Sequence, residues 1–158
     1  MYIHWITEHI AQGPKPYGNE YQDLVNNGIT HILDLTEFSA TVQDEITTQL
    51  HIIHEYIIDF QFIPYTQVEK CCQIIYDILE QPQHKLYIHC WAGIGRSSTI
   101  LWLYLIGCGI DPELAKNIIK TANRAATPGN KSLSDSSHIS CIKAYAADHG
   151  WSKSTPRL

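Results

Sequence analysis

Basic side chains are scarce in this 158-residue chain, which has eight lysines and three arginines, all scattered, and a formal net charge of −5. A surface that binds nucleic acid needs a basic stripe or patch, so no nucleic-acid partner is expected. An acidic surface also fails to attract phosphorylated partners over long range. Any anion-binding site must therefore be a local positive pocket.

Long apolar runs, targeting signals and paired cysteines are also missing. No stretch of about 18 apolar residues is present, so no membrane span is expected. The segment Met1–Trp5 has no basic region followed by an apolar one, so no secretory signal is expected. The five cysteines, at positions 71, 72, 90, 108 and 141, are odd in number and irregularly spaced. Free thiols and a cytoplasmic, reducing location are therefore predicted.

The composition is that of a globular protein, with 44% hydrophobic and 17% charged residues. One domain is predicted over residues 1–151, with a flexible tail at 152–158 and a monomeric state. One or two short strands are predicted from Ile3 to Ile10, ending at Gly13-Pro14. Further strands are predicted at 29–35, 51–58 and 85–89, and helices at 19–27, 39–50, 67–81, 97–106, 113–123 and 137–148. This alternation predicts an α/β fold with a central, mostly parallel sheet of about five strands and helices on both faces.

The segment I-H-C-W-A-G-I-G-R-S-S-T, residues 88–99, links a buried strand to an apolar helix. A loop that enters a helix N-terminus turns several backbone N–H groups toward one point, and the helix dipole adds partial positive charge there. Gly93 and Gly95 allow that backbone to curl tightly. The pattern predicts an anion cradle with the sulfur of Cys90 at its floor, in a field that favours the thiolate.

The residues around Cys90 fit a nucleophile that attacks phosphorus. Arg96 has a planar fork that matches two phosphate oxygens. Ser97 can donate a hydrogen bond to the sulfur and help it leave. His89 is expected to fix the loop and tune the thiolate, or to be a satisfied core histidine. The alternative for Cys90 is a buried structural cysteine beside a glycine turn.

Breakage of a phosphate ester bond requires an acid that protonates the leaving oxygen. Asp59 is the preferred candidate, because it follows the strand at 51–58 and precedes an aromatic-rich loop. Asp34, at the end of another strand, is the rival. The alternative for Asp59 is a helix cap or a solvated loop acid.

The stretch H-C-W-A-G-I-G-R-S-S resembles the signature loop of the cysteine-dependent protein phosphatases, which is His-Cys, five residues, Arg, then Ser or Thr. The short chain and the order I-A-Q-G-P-K-P, G-I-T-H-I-L-D-L, aspartate loop, signature loop resemble the compact, atypical dual-specificity group. The resemblance implies a phosphocysteine on Cys90, breakdown promoted by Ser97, and no metal or other cofactor. It also implies a phosphate-binding loop composed of Trp91, Ala92, Gly93, Ile94, Gly95 and Arg96.

Several positions qualify this resemblance. Ala92 and Ile94 are apolar where members that act on multiply phosphorylated inositol lipids often carry lysines, which argues against that substrate. Arg124 is a candidate contact for a second phosphate, or else a plain surface arginine. A Ser-Ser-His stretch at 136–138 replaces the glutamine that often opens the last helix.

Cys71 or Cys72 is a candidate redox partner of Cys90, although their helical spacing equally fits core positions.

These observations predict a phosphatase that hydrolyses phosphomonoesters through a phosphocysteine. The expected partner is a phosphorylated protein or peptide, carrying phosphotyrosine and, in addition, phosphoserine or phosphothreonine. The alternatives are a phosphatase for a small-molecule, lipid or RNA phosphate, and a module that binds phosphate without turnover.

Overall fold

The computed structural model of the protein describes residues 1–39 and 41–151. Its strands are β1 (His4–Trp5), β2 (Ile10–Gly13), β3 (His31–Asp34), β4 (His51–His54) and β5 (Leu86–His89). Its helices are α1 (Glu20–Asn26), α2 (Asp44–Thr47), α3 (Tyr65–Leu79), α4 (Arg96–Gly107), α5 (Pro112–Ala122) and α6 (Ser136–Asp148). The predicted tail at 152–158 lies outside the described residues.

The strands form one sheet in the order β1-β2-β5-β3-β4. Strands β2, β5, β3 and β4 run parallel to one another, and β1 pairs with β2 antiparallel. In register, His89 lies opposite Gly13 on one side and Asp34 on the other. The carboxyl ends of three strands therefore meet at one edge, where α/β proteins place their ligands.

Helices cover both faces of the sheet, which confirms the predicted fold class. One face packs against α3, α4, α5 and α6 in the larger apolar core, and the other packs against α1 and α2. Helix α4 is buried along its whole length, as its nearly unbroken apolar sequence predicts. Trp151 closes the larger core beyond α6 and stacks on Tyr76 at 4.5 Å between ring centroids.

The start of α5 also follows the predicted pattern. The Asp111 side chain accepts hydrogen bonds from the backbone N–H groups of Glu113 and Leu114, and Pro112 occupies the first helical position.

The prediction of a helix over 39–50 is wrong in extent, since the structure has only the four-residue α2 there. Residue 40 lies outside the described residues. Within α2 only Ile46 is buried, so little apolar surface holds the segment helical. The hydroxyls of Thr47 and Thr48 bond to the backbone carbonyls of Asp44 and Glu45, a local arrangement that offers the chain an alternative to a longer helix.

The strand predicted at 51–58 is also shorter, because β4 ends at His54 and the chain then leaves the sheet. The next residues form the loop that carries Asp59. No helix among the described residues has both the length and the apolar character needed to cross a membrane.

Candidate active site

A cleft of about 500 Å³ opens at the carboxyl edge of the sheet. One wall is the loop after β5 with the start of α4, a second is the loop after β4, and a third is the loop between α5 and α6. The lining residues are Asp59, Phe60, Cys90, Trp91, Ala92, Ile94, Gly95, Arg96, Thr127, Asn130, Ser132 and Leu133.

The loop from Cys90 to Gly95 lies tightly against the end of β2. Gly93 has φ +70°, and a Cβ at this position would lie 2.4 Å from the carbonyl carbon of Gly13. Only glycine fits such an approach. The backbone N–H of Lys15 donates to the Trp91 carbonyl at 3.0 Å and fixes the start of the loop.

Cys90 lines the floor of the cleft, and the buried Ser97 lies against its sulfur. Cys90 is 3% exposed, and its Sγ lies 3.4 Å from the Ser97 Oγ. Helix α4 begins at Arg96, so its N-terminus faces the same loop. The structure thus brings together the sulfur, the hydroxyl and a helix N-terminus, which favours negative charge at this point.

The guanidinium of Arg96 ties the walls of the cleft together. Its Nη1 donates to the backbone carbonyls of Leu35 at 3.3 Å and Ile57 at 2.8 Å. Its Nη2 donates to Asp59 Oδ2 at 3.2 Å. Its Nε is buried and has no hydrogen-bond partner among the described residues. One donor on the guanidinium is therefore available for an anion.

Asp59 lines the cleft, with its side chain 41% exposed. Its Oδ1 accepts from the backbone N–H of Phe60, a residue with φ +59°. That left-handed conformation costs a non-glycine residue about 1–2 kcal/mol. The loop holds the carboxylate beside Arg96 in spite of this strain.

Asp34, the rival carboxylate, lies behind the loop and does not line the cleft. It is 0% exposed, and its Oδ1 accepts from the Thr36 backbone N–H at 2.8 Å and the Thr36 hydroxyl at 2.6 Å. The ammonium of Lys15 lies 4.0 Å from its Oδ2. These contacts are those of a buried, charge-compensated structural group.

His89 belongs to the same buried group. Its Nδ1 donates to the Cys90 carbonyl at 3.2 Å, and its Nε2 lies 3.8 Å from Asp34 Oδ1. Burial lowers the pKa of His89 to about 4, against an opposing effect of Asp34. The imidazole is therefore neutral at physiological pH and holds the loop backbone below the cysteine.

Trp91 and Ile94 are exposed at the rim of the cleft. Tyr17 lies against Trp91 at 6.4 Å between ring centroids, and the Lys15 ammonium lies 5.0 Å from the Trp91 ring. Arg124 is exposed beyond the end of α5 and is not among the lining side chains. Its contact with a second phosphate stays a prediction.

Cys71 and Cys72 belong to α3 and are fully buried in the core. Burial raises the pKa of the Cys71 thiol to about 12 and raises that of Cys72 well above its usual value. Both are therefore protonated packing residues, which does not favour a role as a redox partner.

Two amide side chains behind the cysteine loop belong to the site but were not predicted from the sequence. Gln12 of β2 and Asn123 at the end of α5 are buried and hydrogen-bond to the Gly93 carbonyl. The signal for Gln12 was a polar residue in the apolar strand I-A-Q-G, directly before a glycine. Asn123 gave no such signal, because it follows a helix whose exposed face is polar.

The third wall was also missed, since the sequence at 127–137 reads only as a loop. The Thr127 backbone N–H donates to the Ile94 carbonyl at 2.9 Å, and the Ile63 backbone N–H donates to the Leu133 carbonyl at 2.9 Å. This loop is therefore tied both to the cysteine loop and to the loop that carries Asp59.

The known proteins that resemble this chain are phosphatases. The family model described as "Tc-R-P: Polymorphic toxin system, DSP-PTPase phosphatase" matches residues 9–110. The phosphatidylglycerophosphate phosphatase PTPMT1 of Arabidopsis thaliana is 27% identical over 122 residues, which are 73% of this chain and 36% of that protein. The PRL-1 phosphatase of Drosophila melanogaster is 29% identical over 111 residues, 68% of this chain and 62% of that protein. The chain thus matches less than two thirds of the length of either relative.

Solved structures show the same fold. A crystal structure of PTPMT1 superimposes with a TM-score of 0.78 at 20% identity, over 93% of this chain and 99% of that one. The crystal structure of human DUSP28 gives a TM-score of 0.74 at 14% identity, over 93% and 97% of the two chains. At these identities the likeness establishes the fold alone.

Proposed function

Because the chain belongs to the DSP-PTPase phosphatase family of polymorphic toxin systems, we propose that it removes phosphate from proteins through a phosphocysteine on Cys90. Phosphotyrosine is the proposed main substrate, with phosphoserine and phosphothreonine as further ones. The observation that carries the proposal is the convergence of Cys90, Arg96 and Asp59 on one cleft at a helix N-terminus, with the Ser97 hydroxyl against the Cys90 sulfur.

In the first proposed step, the Cys90 thiolate attacks phosphorus and the bond to the leaving oxygen breaks. The Asp59 carboxyl gives its proton to that oxygen. In the second step, a water attacks the phosphocysteine and its proton returns to Asp59. The sulfur–phosphorus bond breaks, and the electron pair returns to the sulfur, toward which Ser97 can donate a hydrogen bond.

The free donor on Arg96 supports phosphate binding in this cleft. A buried donor without a partner costs about 1–3 kcal/mol, and a phosphate oxygen would remove that cost at Nε. A second oxygen can take the place of Asp59 at Nη2, so that phosphate is held by the fork of the guanidinium. Asp59 is then released toward the leaving group.

The character of the cleft supports a single phosphate on an aromatic group. Among the described side chains that line the cleft, Arg96 is the one cation. A second phosphate would therefore find no lysine or arginine within the cleft. Phe60, Trp91 and Ile94 offer apolar surface at its mouth, which suits the ring of phosphotyrosine.

A lipid phosphate is the second candidate substrate, because the Arabidopsis thaliana relative is a phosphatidylglycerophosphate phosphatase matched over 73% of this chain. The same apolar rim would accept a glycerolipid. A module that binds without turnover is disfavoured, since it would need neither the cysteine nor an acid beside it.

The test compares wild type with Cys90→Ser under reducing conditions and with a metal chelator present. We expect release of phosphate from a phosphotyrosine peptide by wild type and none by Cys90→Ser. Acid quenching followed by mass spectrometry should find phosphate on the peptide that contains Cys90. A phosphoserine peptide and phosphatidylglycerophosphate micelles serve as competing substrates. Wild type that binds phosphate without any turnover would refute the proposal, and preferred hydrolysis of the lipid would support the second candidate.

A further inference from the structure

The two buried amides behind the cysteine loop form a hydrogen-bonded pair. Gln12 is 0% and Asn123 is 5% exposed. Asn123 Nδ2 donates to Gln12 Oε1 at 2.9 Å and to the Gly93 carbonyl at 3.0 Å. Gln12 Nε2 donates to the same carbonyl at 2.6 Å.

The Gly93 carbonyl fixes the orientation of both amides, because a carbonyl oxygen can only accept. If either amide were flipped, its oxygen would face the oxygen of Gly93. The nitrogen of Gln12 must therefore face Gly93, and its oxygen must face Asn123. The second hydrogen of Gln12 Nε2 is then directed to Ser97 Oγ, which lies 2.8 Å away.

This contact settles where the proton of the Ser97 hydroxyl points. A hydroxyl has one hydrogen to donate, and its oxygen accepts from Gln12. Ser97 is fully buried, and its other hydrogen-bonding neighbour among the described residues is Cys90 Sγ at 3.4 Å. The proton is left for the sulfur.

The adjacent serine shows what happens without such a partner. The Ser98 hydroxyl shares its one hydrogen between the backbone carbonyls of Ile94 and Gly95 in the preceding turn. This back-bonding is the usual choice of a serine within a helix. Ser97 is one position earlier in the same helix and has Gln12 at its oxygen instead.

We infer that Gln12 is a positioning residue that directs the Ser97 hydroxyl at Cys90 and so speeds breakdown of the phosphocysteine. The inference rests on the function proposed above. In that step the oxygen of water forms a bond to phosphorus, its proton goes to Asp59, and the sulfur–phosphorus bond breaks. The electron pair stays on the sulfur, where the Ser97 hydroxyl stabilises it by a hydrogen bond without transfer of its proton.

The test follows rapid mixing with p-nitrophenyl phosphate. The burst of nitrophenol measures formation of the phosphocysteine, and the steady rate measures its breakdown. In Gln12→Leu we expect an unchanged burst rate, a burst that approaches one nitrophenol per active site, and a steady rate reduced about tenfold. Gln12→Met, whose side chain is unbranched and has no hydrogen to donate, should behave in the same way, and it provides a second variant if Gln12→Leu folds poorly.

A double-mutant cycle separates positioning from a general effect on the loop. In a Ser97→Ala background, Gln12→Leu should lower the steady rate by less than about twofold, because the hydroxyl through which Gln12 acts on the sulfur is already absent. Asn123→Leu is the control: it also takes one donor from the Gly93 carbonyl, and another from Gln12 Oε1, but it leaves Gln12 Nε2 held between Gly93 and Ser97. Its effect should be the same in both backgrounds.

The inference is overturned if Gln12→Leu lowers the steady rate by an equal factor with and without Ser97. It is also overturned if the variant slows the burst and leaves breakdown unchanged. Failure of the proposed function looks different, because wild type itself would then give neither turnover nor a trapped phosphocysteine.

Discussion

Exchange of each candidate acid for its amide, Asp59→Asn and Asp34→Asn, should separate activity from stability. Asp34 is the last residue of β3 and Asp59 lies in the loop after the neighbouring β4, but their surroundings are opposite: Asp59 lines the cleft and Asp34 is fully buried. We expect Asp59→Asn to lose catalysis while its fold is retained, and Asp34→Asn to lose stability while its pH profile is retained.

For Asp59→Asn, the turnover of phenyl phosphate should fall by about 10²–10⁴, the usual contribution of a general acid. The loss should be smaller for p-nitrophenyl phosphate, whose leaving group needs less protonation. The basic limb of the pH–rate profile should disappear. The Asp59 side chain is 41% exposed, so water screens its pair with Arg96 and the free energy of unfolding should change by no more than about 1 kcal/mol.

For Asp34→Asn, two hydrogen bonds from Thr36 lose their charged acceptor. Each should weaken by about 1 kcal/mol, the difference between bonds to charged and to neutral groups. Lys15, which is 8% exposed, also loses the carboxylate at 4.0 Å. A loss of about 2 kcal/mol or more should lower the melting temperature by about 5 °C or more.

Thermal unfolding and pH–rate profiles of both variants check this pair of outcomes. The assignment of the acid is refuted if folded Asp34→Asn loses the basic limb and Asp59→Asn keeps it. Equal losses of stability in both variants would contradict the account of the two environments.

Three further outcomes are expected. Gly93→Ala should abolish activity and destabilise the fold, because its Cβ would lie 2.4 Å from the Gly13 backbone. Gly18→Ala is the control, since Gly18 also has a positive φ but a Cβ there would have nothing within 4 Å, and it should keep full activity. Equal effects of the two substitutions would contradict the packing argument. The free energy of unfolding, measured with urea, should fall as pH drops from about 6.5 toward 4. A free energy that does not change over this range would contradict the lowered pKa values of His31 and His89. The pKa of His31 is lowered to about 4 by burial and its neighbouring histidines, and that of His89 to about 4 by burial, so the unfolded chain binds more protons across that range. Peroxide should inactivate Cys72→Ala as fast as wild type, and dithiothreitol should restore the activity of both equally, because Cys72 is buried in the core. Slower recovery of the variant would instead support Cys72 as a redox partner of Cys90.

The parts of the site that are close in sequence could be predicted from it. Cys90, Arg96 and Ser97 lie within eight consecutive residues, so a strand, a tight loop and a helix suffice to bring them together. The alternation of elements likewise predicted the parallel sheet with helices on both faces, because each element carries its own periodicity.

The parts of the site that depend on contacts between distant residues could not be predicted from the sequence. Asp34 ends one strand and Asp59 follows another, and only the packing of Lys15 and Thr36 shows that Asp34 is covered. Gln12 and Asn123 lie 111 positions apart, and their contact exists only once β2 and α5 are folded together. The helix at 39–50 was overpredicted because local spacing does not reveal that only Ile46 of α2 would be buried.

Because of the hydrogen bonds made by Arg96, loss of this arginine and loss of Cys90 would have unequal consequences for the structure of the site. The guanidinium holds the carbonyls of Leu35 and Ile57 and the carboxylate of Asp59, so it fastens the ends of two loops as well as facing the cleft. Loss of the arginine would unfasten those loops, whereas loss of the Cys90 sulfur removes only a small side chain from the floor. A descendant that abandons catalysis can therefore discard the cysteine and keep the arginine, and would emerge as an intact receptor for phosphate groups.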